Sequence, residues 1–490
     1  RPMAANLVES FRSTARRLMD LGLSYLTLDR SSASLSTGER QRMQLARAVR
    51  NRTTGVLYVL DEPSIGLHPA NLKGLTGVIR DLVSDGNSVL LVDHDASLLS
   101  EVDHLIELGP GAGVEGGRIL TQGPLAVVRK DPASKIAPYL TDHPLFRTER
   151  AAPEHLFDLG RIHLETGAIH TVKPLSLDIP KGRLTVVTGV SGSGKTTLVL
   201  ESLVPALEAL TEGKPMPDHV RNIEAEGIRR VKLIDATPVG INVRSTVATY
   251  ANVHDEWRKL FARTKDAKAR GKKAGDFSYN TGSLRCPECD GTGVVTLDVQ
   301  FLPDVEIPCP ACRGSRYAKE AETIFFKNKE GERRTLPQLM ASDVHEAVRF
   351  CRDEKTVAAR LKILDDLGLG YLTLGEATPA LSGGEAQRLK LASEMGRGQG
   401  DAVFVFDEPT IGLHPEDVKT LVGVFDRLLA AGATVVVIEH DLDVIRAADW
   451  MIDLGPGGGD AGGTVVFEGV PEDAPAEPRS VTGRHLGRRA

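Results

Sequence analysis

The chain has 490 residues, enough for about two to four domains with sizeable cores. Its formal net charge of -6 gives no overall basic excess, although a local basic stripe can still bind nucleic acid. No stretch of about 18 apolar residues occurs, so we expect no membrane span and a cytoplasmic location. Five cysteines are too few for a disulfide framework, and two Cys-x-x-Cys pairs point to metal in a reducing compartment. The chain begins with Arg1, without an initiator methionine or a hydrophobic signal segment, which suggests a C-terminal piece of a longer protein.

In chain order, helical and strand-like segments alternate through the first half. Residues 1–50 are predicted to be mostly helical. Residues 55–61 are a short apolar run that ends in a carboxylate, as expected for a buried parallel strand. A helix is predicted around 70–84 and a second strand at 88–92, and this β–α–β alternation indicates an α/β architecture with a parallel sheet. Residues 131–155 are rich in proline and polar residues and are predicted to link two halves.

The second half begins with strands, of which 184–188 leads into a glycine-rich loop. A charged segment, a cysteine cluster and further helix then interrupt the α/β pattern. The tail from 471 is rich in Pro, Gly and Arg and is predicted to be loose at its end. The expected segments are the C-terminal part of a first module at 1–145, the start of a second module at 146–250, an inserted subdomain at 251–375 and the remainder of the second module at 376–490.

Residues 20–111 and 366–457 are two copies of one pattern, offset by 346 positions without an insertion. The matching stretches are Asp20 to Leu23 with Asp366 to Leu369, Leu35 to Glu39 with Leu381 to Glu385, Asp61 to Ser64 with Asp407 to Thr410, His94 with His440, and Gly109 to Gly111 with Gly455 to Gly457. A phosphate-binding loop, in contrast, occurs once, ahead of the second copy. The chain is therefore predicted to carry two nucleotide-hydrolysis modules, of which the first lacks its front end.

The phosphate loop reads Gly-Val-Ser-Gly-Ser-Gly-Lys-Thr and fits G-x-x-x-x-G-K-[ST] between a strand and a helical run. Its glycines let backbone N–H groups point at phosphates, and the N-terminus of the following helix adds positive potential. Lys195 would reach the β- and γ-phosphates of ATP, and the Thr196 hydroxyl would ligate Mg²⁺. A chance glycine turn would not explain the flanking strand and helix. The candidate nucleotide-binding residues here are Gly189, Ser191, Gly192, Ser193, Gly194, Lys195, Thr196 and Thr197.

An apolar strand ends in Asp407 and Glu408, at the sheet edge where ligands bind in open α/β folds. Asp407 is the expected partner of Mg²⁺, and Glu408 could polarise the attacking water. The first copy has Asp61 and Glu62 at the same positions. A solvated strand end is credible for one copy but explains two copies in register poorly, because buried carboxylates are costly unless they are paired or metal-bound.

His440 also ends an apolar strand, where a histidine could sense the nucleotide state and orient the water. Taken alone, a histidine at a strand end is more often structural. However, His440 follows Asp407 by 33 residues, and His94 follows Asp61 by the same 33 residues. This repeated spacing favours a catalytic role for both histidines.

The stretch Leu-Ser-Gly-Gly-Glu at 381–385 begins a helix. Ser382 can cap that helix, and Gly383 and Gly384 let a phosphate approach the backbone. A serine followed three residues later by glutamate is also an ordinary capping box, which describes the local structure equally well. A capping box does not explain why the first copy, with Ser36 and Gly38, precedes its Asp-Glu strand by the same 25 residues.

These motifs, with the Gly-Leu-His-Pro stretches at 66–69 and 412–415, resemble the ATP-binding-cassette ATPase superfamily. In that superfamily two cassettes stack head to tail, and each ATP lies between the phosphate loop of one and the LSGGE helix of the other. The resemblance implies one composite site built from Lys195, Thr196, Asp407, Glu408 and His440 with Ser36 and Gly38. It predicts one ATP per chain, because the other site would have Asp61, Glu62, His94 and the 381–385 motif but no phosphate loop.

The four paired cysteines fit C-x₂-C-x₁₉-C-x₂-C, which is typical of a structural zinc site. Glycines follow each pair and permit tight turns. Four thiolates would form a closed tetrahedral Zn²⁺ site with no open position for catalysis. A redox pair or unrelated buried cysteines are the alternatives, and Cys351 is left over as a core residue. The candidate zinc ligands are Cys286, Cys289, Cys309 and Cys312.

The sequence around the cysteines is similar to the UvrA family of bacterial nucleotide excision repair, and the similarity covers nearly the whole chain. It rests on Phe277 to Asn280, Arg285-Cys286, Cys289 to Gly293, Phe301 to Val305, Arg316-Tyr317, Gly368 to Leu374 and the two Asp-Glu-Pro-Ser/Thr-Ile-Gly-Leu-His-Pro stretches. It implies a soluble, zinc-containing ATPase, itself not a nuclease, that forms a homodimer and binds damaged double-stranded DNA largely independently of sequence. Damaged DNA would then pass to a UvrB-like helicase partner. The family's first phosphate loop, first zinc site and helicase-binding insertion would be missing from this chain.

Two positions depart from the family pattern. Ala236 stands where the family usually has a glutamine that touches Mg²⁺ and the attacking water, and Thr37 stands where the first LSGGE copy should have its second glycine. If that backbone needs glycine, Thr37 would cost about 1–3 kcal/mol. Both changes bear on the same ATP site. They suggest a divergent paralogue, such as one protecting its host from DNA-binding drugs, or a nucleotide-sensing DNA clamp with little turnover.

A basic run precedes the cysteines and comprises Arg258, Lys259, Arg263, Lys265, Lys268, Arg270, Lys272 and Lys273. From charge alone, binding of the DNA backbone and a solvated helical face explain it equally well. The family resemblance favours DNA. A third class of protein, an ATPase that drives a membrane transporter, is disfavoured by the zinc module and by the fusion of two cassettes.

Overall fold

The computed structural model describes residues 2–35, 37–48, 54–111, 116–141, 145–147, 149–235, 237, 239–240, 242, 244–297, 305–395 and 399–487. The chain divides into two compact units. Unit 1 comprises residues 1–110, 118–235 and 398–490, and unit 2 comprises residues 111–117 and 236–397. Unit 2 is wider than the insertion expected at 251–375 and includes the second LSGGE copy.

Unit 1 contains thirteen described strands and ten described α-helices. The strands are β1 (Leu57–Asp61), β2 (Ser88–Val92), β3 (Leu105–Gly109), β4 (Arg118–Gly123), β5 (Arg161–Thr166), β6 (Leu175–Pro180), β7 (Leu184–Gly189), β8 (Val220–Glu224), β9 (Arg230–Ile234), β14 (Ala402–Asp407), β15 (Thr434–Ile438), β16 (Trp450–Gly455) and β17 (Thr464–Gly469). The helices are α1 (Pro2–Asp20), α2 (Thr37–Ala48), α3 (Pro69–Ser84), α4 (Ala96–Leu99), α5 (Leu125–Val128), α6 (Ala137–Thr141), α7 (Val204–Glu212), α15 (Pro415–Ala430), α16 (Leu442–Ala447) and α17 (Val481–Leu486).

The central sheet of unit 1 has the strand order β17-β16-β7-β15-β14-β9. Only β17 runs antiparallel to its neighbour, and the other pairings are parallel. The predicted α/β class with a parallel sheet is therefore confirmed. Because β7, β15 and β14 are adjacent and parallel, the loops that follow them meet at one edge of the sheet. The phosphate loop after β7, the Asp-Glu pair at the end of β14 and His440 after β15 all lie at that edge.

The sequence repeat is also a structural repeat. In the parallel pair β1–β2, Leu57 pairs with Ser88, and in β14–β15, Val403 pairs with Thr434 at the same offset of 346. The antiparallel pairs β3–β4 and β16–β17 match in the same way, down to a bulge at the corresponding position. The two halves of unit 1 are therefore built on one template.

The burial of 55–61 differs from the prediction. A strand is present, but Leu57 and Val59 are 62% and 61% exposed, whereas their counterparts Val403 and Val405 are fully buried. In the second half, a π-helical segment, Thr197–Leu203, and α7 pack on the corresponding face of the sheet. In the described part of the first half, no segment packs on that face of β1, so its alternate side chains are exposed.

The tail from 471 is ordered further than expected. It forms a 3₁₀ helix, Pro471–Ala476, and then α17. Ser480 is buried, and its hydroxyl donates to Asp453 Oδ2 at 2.6 Å. The first half repeats this contact between Ser134 and Glu107. A buried hydroxyl–carboxylate bond therefore holds each of these segments to its sheet.

In its described residues, unit 2 consists of helices and two small antiparallel two-stranded sheets. Its helices are α8 (Val247–Tyr250), α9 (Val253–Ala262), α10 (Lys265–Ala269), α11 (Leu336–Ala341), α12 (Val344–Phe350), α13 (Lys355–Asp366) and α14 (Gly383–Glu394), and its strands are β10 (Val294–Leu297), β11 (Val305–Pro308), β12 (Phe325–Lys327) and β13 (Arg333–Thr335). Trp257, Phe261 and Tyr279 are fully buried and form its aromatic core with their neighbours. Across the described residues of both units, none of the helices is both long enough and apolar enough to span a membrane.

Candidate nucleotide site and metal centre

The phosphate loop forms a tight turn between β7 and the following helical segment. Gly189, Gly192 and Gly194 all have positive φ angles, of 135°, 76° and 98°, which L-residues with side chains rarely adopt. The hydroxyl oxygens of Ser191 and Ser193 are buried and have no hydrogen-bond partner among the described residues. Orphaned buried hydroxyls are costly, so this loop is suited to an anionic ligand that would satisfy them.

Lys195 is buried, and its Nζ donates to the carbonyl oxygens of Gly189 and Val190 at 3.0 and 3.1 Å. Burial lowers the pKa of Lys195 to about 8, against the opposing effect of Glu408, Asp453 and Asp407. Lys195 therefore lies within electrostatic range of acids on β16 and at the end of β14. Thr196 is exposed, and Thr197 Oγ1 donates to Glu201 on its own helix.

Asp407 and Glu408 end β14 next to this lysine. Burial, together with the nearby carboxylates of Glu408 and Asp235, raises the pKa of Asp407 to about 6, against the opposing effect of Lys195. Three acids grouped beside a lysine favour a bound cation, and this set of oxygen donors fits Mg²⁺. Glu408 has a φ angle of 45°, a left-handed conformation that is unfavourable for a residue with a side chain.

His440 Nε2 lies 3.3 Å from Glu408 Oε1. Burial lowers the pKa of His440 and Lys195 lowers it further, against the opposing effect of Glu408, so the ring is neutral at pH 7. Its contact with a carboxylate oxygen, which can only accept, assigns the proton to Nε2. Burial alone would raise the pKa of Glu408, but the bond to His440 and the charges of Lys195 and Arg42 outweigh it and lower that pKa. Glu408 is therefore ionised and held by a neutral histidine.

The first half repeats part of this arrangement. Glu62 has the same φ angle of 45°, and its Oε1 lies 3.7 Å from His94 Nδ1. Both side chains are more exposed than Glu408 and His440. Asp61 ends β1 as Asp407 ends β14. The structure thus places Asp61, Glu62 and His94 together, without a phosphate loop beside them among the described residues of the first half.

The structure describes the whole of the second LSGGE copy but not every residue of the first. Ser382 caps α14, because its Oγ accepts from Glu385 N while Ser382 N donates to the Glu385 carboxylate. Gly383 and Gly384 form the first turn of α14. In the first copy, α2 begins at Thr37 and includes Gly38. Ser36 and Ala236 lie outside the described residues.

The four paired cysteines form one cluster in unit 2. Their Sγ atoms all lie within 4.8 Å of one another, and all four side chains are buried. Burial would raise the pKa of Cys289, but backbone N–H groups, above all that of Gly293, lower it to about 7. Four converging sulfur atoms in a turn-rich hairpin fit a tetrahedral Zn²⁺ ion. Cys351 is buried elsewhere, against Trp257.

Three residues near the nucleotide site have no assigned role in the sequence analysis. The Tyr25 ring lies against Gly192, Arg42 lies near Glu408, and the His68 ring centroid is 5.7 Å from that of His440. Each has an identical residue 346 positions later, so the sequence repeat could have identified these three residues as candidates. The sequence does not show that these first-half residues face the second half.

A parallel sheet with a lysine-bearing phosphate loop beside an Asp-Glu pair and a histidine, together with two LSGGE copies, defines an ATP-binding-cassette ATPase fold. Curated UvrABC system proteins A are 41–44% identical to the chain over 96–100% of its length. The chain is a UvrA-like region of that superfamily. No family model matches the sequence.

Two curated relatives and two solved structures give the extent of the similarity. The UvrABC system protein A of Aquifex aeolicus is 44% identical over 474 residues, covering 96% of this chain and 50% of that protein. The Thermus thermophilus protein is 44% identical over 495 residues, covering 100% of this chain and 50% of that protein. The crystal structure of UvrA2 from Deinococcus radiodurans has a TM-score of 0.88 and 41% identity, covering 99% of this chain and 57% of that one.

The RNase-L Inhibitor has a TM-score of 0.50 and 19% identity, covering 92% of this chain and 67% of that one, which shows the fold alone. The chain spans about half the length of the curated relatives it matches.

Proposed function

We propose that this chain is the ATP-hydrolysing and DNA-binding part of a damage-recognition ATPase of nucleotide excision repair. The observation that carries the proposal is the grouping of Lys195, Asp407, Glu408 and His440 at one edge of the sheet, in a chain 44% identical to UvrABC system proteins A. Those relatives are named for a repair system, and this similarity supports the assignment to repair.

Lys195 and the loop amides would hold the ATP phosphates. Lys195 would exchange its bonds to the Gly189 and Val190 carbonyls for bonds to phosphate oxygens. Thr196 and Asp407 would hold Mg²⁺, which when bound neutralises charge on the phosphates. Ser36 and Gly38 of the first LSGGE copy would close the site.

Glu408 would act as the general base for the attacking water. Its lowered pKa keeps it ionised near neutral pH, and the His440 Nε2–H fixes its orientation. His440 Nδ1 is buried and has no hydrogen-bond partner among the described residues, so it is available as an acceptor for water. Glu62 and His94 would form the corresponding pair of a second site. Since the sequence holds one phosphate loop, we expect one ATP per chain, and binding of two would contradict this.

Unit 2 would contact DNA through its basic run and zinc hairpin. Three cations of the run pair with acids: Arg258 with Asp255, Lys259 with Glu256 and Lys272 with Glu320. Arg263, Lys265 and Lys268 are exposed and remain available for phosphates. The partners would be damaged double-stranded DNA, a second copy of the chain and a UvrB-like helicase. The protein would act in the cytoplasm and would not itself cut DNA.

DNA-stimulated ATP turnover tests the proposal. Glu408→Gln should lower kcat by about 10²-fold or more, because it removes the base without changing shape. Glu62→Gln is the matched control and should have a much smaller effect. Negligible turnover in the unsubstituted protein would instead favour a nucleotide-sensing clamp, and equal effects of the two substitutions would contradict the assignment of Glu408.

A further inference from the structure

A hydrogen-bonded triad from the first half reaches the nucleotide site of the second half. Tyr25 Oη donates to Glu39 Oε1, and Arg42 is hydrogen-bonded to Tyr25 and attracted to Glu39. Glu39 and Arg42 lie on α2, one turn apart. All three side chains are largely buried. The triad therefore links Tyr25, which precedes the helix, to two charged residues on α2, the helix that carries the first LSGGE copy.

One end of the triad lies on the phosphate loop. A Cβ atom added to Gly192 would lie 2.6 Å from Tyr25 Cγ, and one added to Gly459 would lie 3.5 Å from Tyr25 Cβ. The tyrosine ring thus fills the space that a side chain at residue 192 would need. Because Tyr25 is hydrogen-bonded to Glu39, its ring connects α2 to the loop that would hold the phosphates.

The other end of the triad lies at the Asp-Glu strand. Arg42 is 3% exposed, and its positive charge acts on both Glu408 and His440. Its Nη1 donates to the carbonyl of Ile65 at 3.2 Å, in the loop that brings Gly66 against Glu408. Arg42 Nε is buried and has no hydrogen-bond partner among the described residues.

A buried guanidinium with an unsatisfied N–H group is costly and is retained only where neighbouring charges compensate it. Glu39 and Glu408 supply those charges from opposite halves of unit 1. We propose that Tyr25, Glu39 and Arg42 are positioning residues for ATP hydrolysis, with Arg42 holding Glu408 and its facing loop in place and Tyr25 setting the phosphate loop. This inference rests on the proposed ATPase function.

The second copy supplies matched controls. Tyr371 Oη donates to Glu385 Oε1 at 2.6 Å, which is the same bond 346 residues later. If the bond only stabilises the LSGGE subdomain, Tyr25→Phe and Tyr371→Phe should have the same effect. If the triad positions Glu408, Tyr25→Phe should lower kcat for ATP about three- to ten-fold, and Tyr371→Phe less than about two-fold.

Arg42 gives the stronger arm of the experiment. Arg42→Gln should lower kcat at least about ten-fold with little change in KM for ATP, and Arg42→Lys should restore part of the loss because it restores the charge. Arg388→Gln is the control at the equivalent position. Thermal unfolding of each variant shows whether α2 remains folded, and Tyr25→Phe, which keeps the ring, provides the test if Arg42→Gln does not fold.

The two proposals fail in different ways. If the unsubstituted protein hydrolyses ATP and Glu408→Gln abolishes it, but Arg42→Gln and Tyr25→Phe match their controls, the triad inference is overturned and the ATPase assignment stands. The positioning of Glu408 is likewise overturned if the substitutions change KM for ATP but not kcat. It is also overturned if Arg42→Lys has a kcat no higher than that of Arg42→Gln. Absence of turnover in the unsubstituted protein overturns both.

Discussion

Gly66 lies against the carboxylate of Glu408: a Cβ atom at residue 66 would lie 3.6 Å from Glu408 Oε2. The reciprocal contact joins Gly412 to Glu62, because a Cβ atom at residue 412 would lie 3.8 Å from Glu62 Oε1. Each Asp-Glu strand is therefore faced by the glycine of the opposite half. Both glycines have positive φ angles, of 63° and 71°. The two glycines therefore have the same backbone conformation, but Gly66 faces Glu408 and Gly412 faces Glu62.

This reciprocity gives a paired prediction for alanine. Gly66→Ala and Gly412→Ala should each cost about 1 kcal/mol of stability, because both place a side chain in the left-handed region. Only Gly66→Ala should lower kcat for ATP several-fold, since it faces the acid beside the phosphate loop. Steady-state kinetics and thermal unfolding measure the two effects. Equal losses of kcat would show that the contact with Glu408 has no special role.

His254 predicts a pH dependence of stability. Its Nε2 lies 2.7 Å from Tyr317 Oη, and because that hydroxyl donates to the Phe277 carbonyl, Nε2 is the donor in this contact. Burial lowers the pKa of His254 to about 4. In the unfolded chain the ring takes up a proton near its ordinary pKa of about 6.5, while the folded protein does not until about pH 4. Stability should therefore fall by about 3 kcal/mol as pH falls from 6.5 to 4.

Denaturant unfolding at pH 7.5 and pH 5 measures this loss. His254→Gln keeps a hydrogen-bond donor but cannot be protonated, and it should show a smaller loss between the two pH values than the unsubstituted protein. The other acid-sensitive groups, including the cysteine cluster, are common to both proteins and cancel in the comparison. An identical pH dependence in the two proteins would rule out His254 as a contributor.

The cysteine cluster predicts a metal-dependent fold for the hairpin around it. Cys289→Ser should reduce bound zinc to a small fraction and increase proteolysis within 286–312, because three thiolates and a hydroxyl hold zinc weakly. Cys351→Ser is the control, since that buried cysteine lies outside the cluster. Metal analysis and limited proteolysis give the readouts. Full zinc content in Cys289→Ser would contradict the four-sulfur site.

The exposed basic side chains predict salt-dependent DNA binding. Reversing Arg263, Lys265 and Lys268 to glutamate should weaken binding at all sequences. It should also lower the slope of log K against log salt by about one for each phosphate that the protein no longer neutralises. Exchanging Lys259 and Glu256 keeps the net charge and serves as the control. An unchanged slope in the triple variant would remove this surface from the proposed DNA site.

The sequence predicted those parts of the candidate site that are carried by motifs with fixed spacing. Lys195, Asp407 and His440 follow strands that are adjacent in a parallel sheet, so their convergence follows from local patterns and the order of the strands. The cysteine cluster is predictable for the same reason, because its spacing alone determines a compact site. These predictions required no knowledge of how the two halves pack.

Contacts between the halves could not be predicted in this way. Tyr25 and Arg42 act on residues hundreds of positions away, and nothing in their local sequence distinguishes them from Tyr371 and Arg388. Burial at 55–61 was predicted wrongly for a related reason. The composition of a strand shows that it is apolar but not whether a segment covers it. The order of the tail likewise depends on long-range hydrogen bonds, including those from Ser480 and Thr482 to Asp453.

One imidazole belongs to both halves. His68 Nδ1 accepts from Ala70 N and so begins α3, while its Nε2 lies 3.0 Å from Thr482 Oγ1 and its ring packs edge-on against His440 and His485. Thr482 in turn donates to Asp453. The residue that begins a first-half helix therefore also forms one wall of the space around His440. Although the repeat invites cutting the chain near residue 150, a separated second half would lose that wall and expose His440 to solvent.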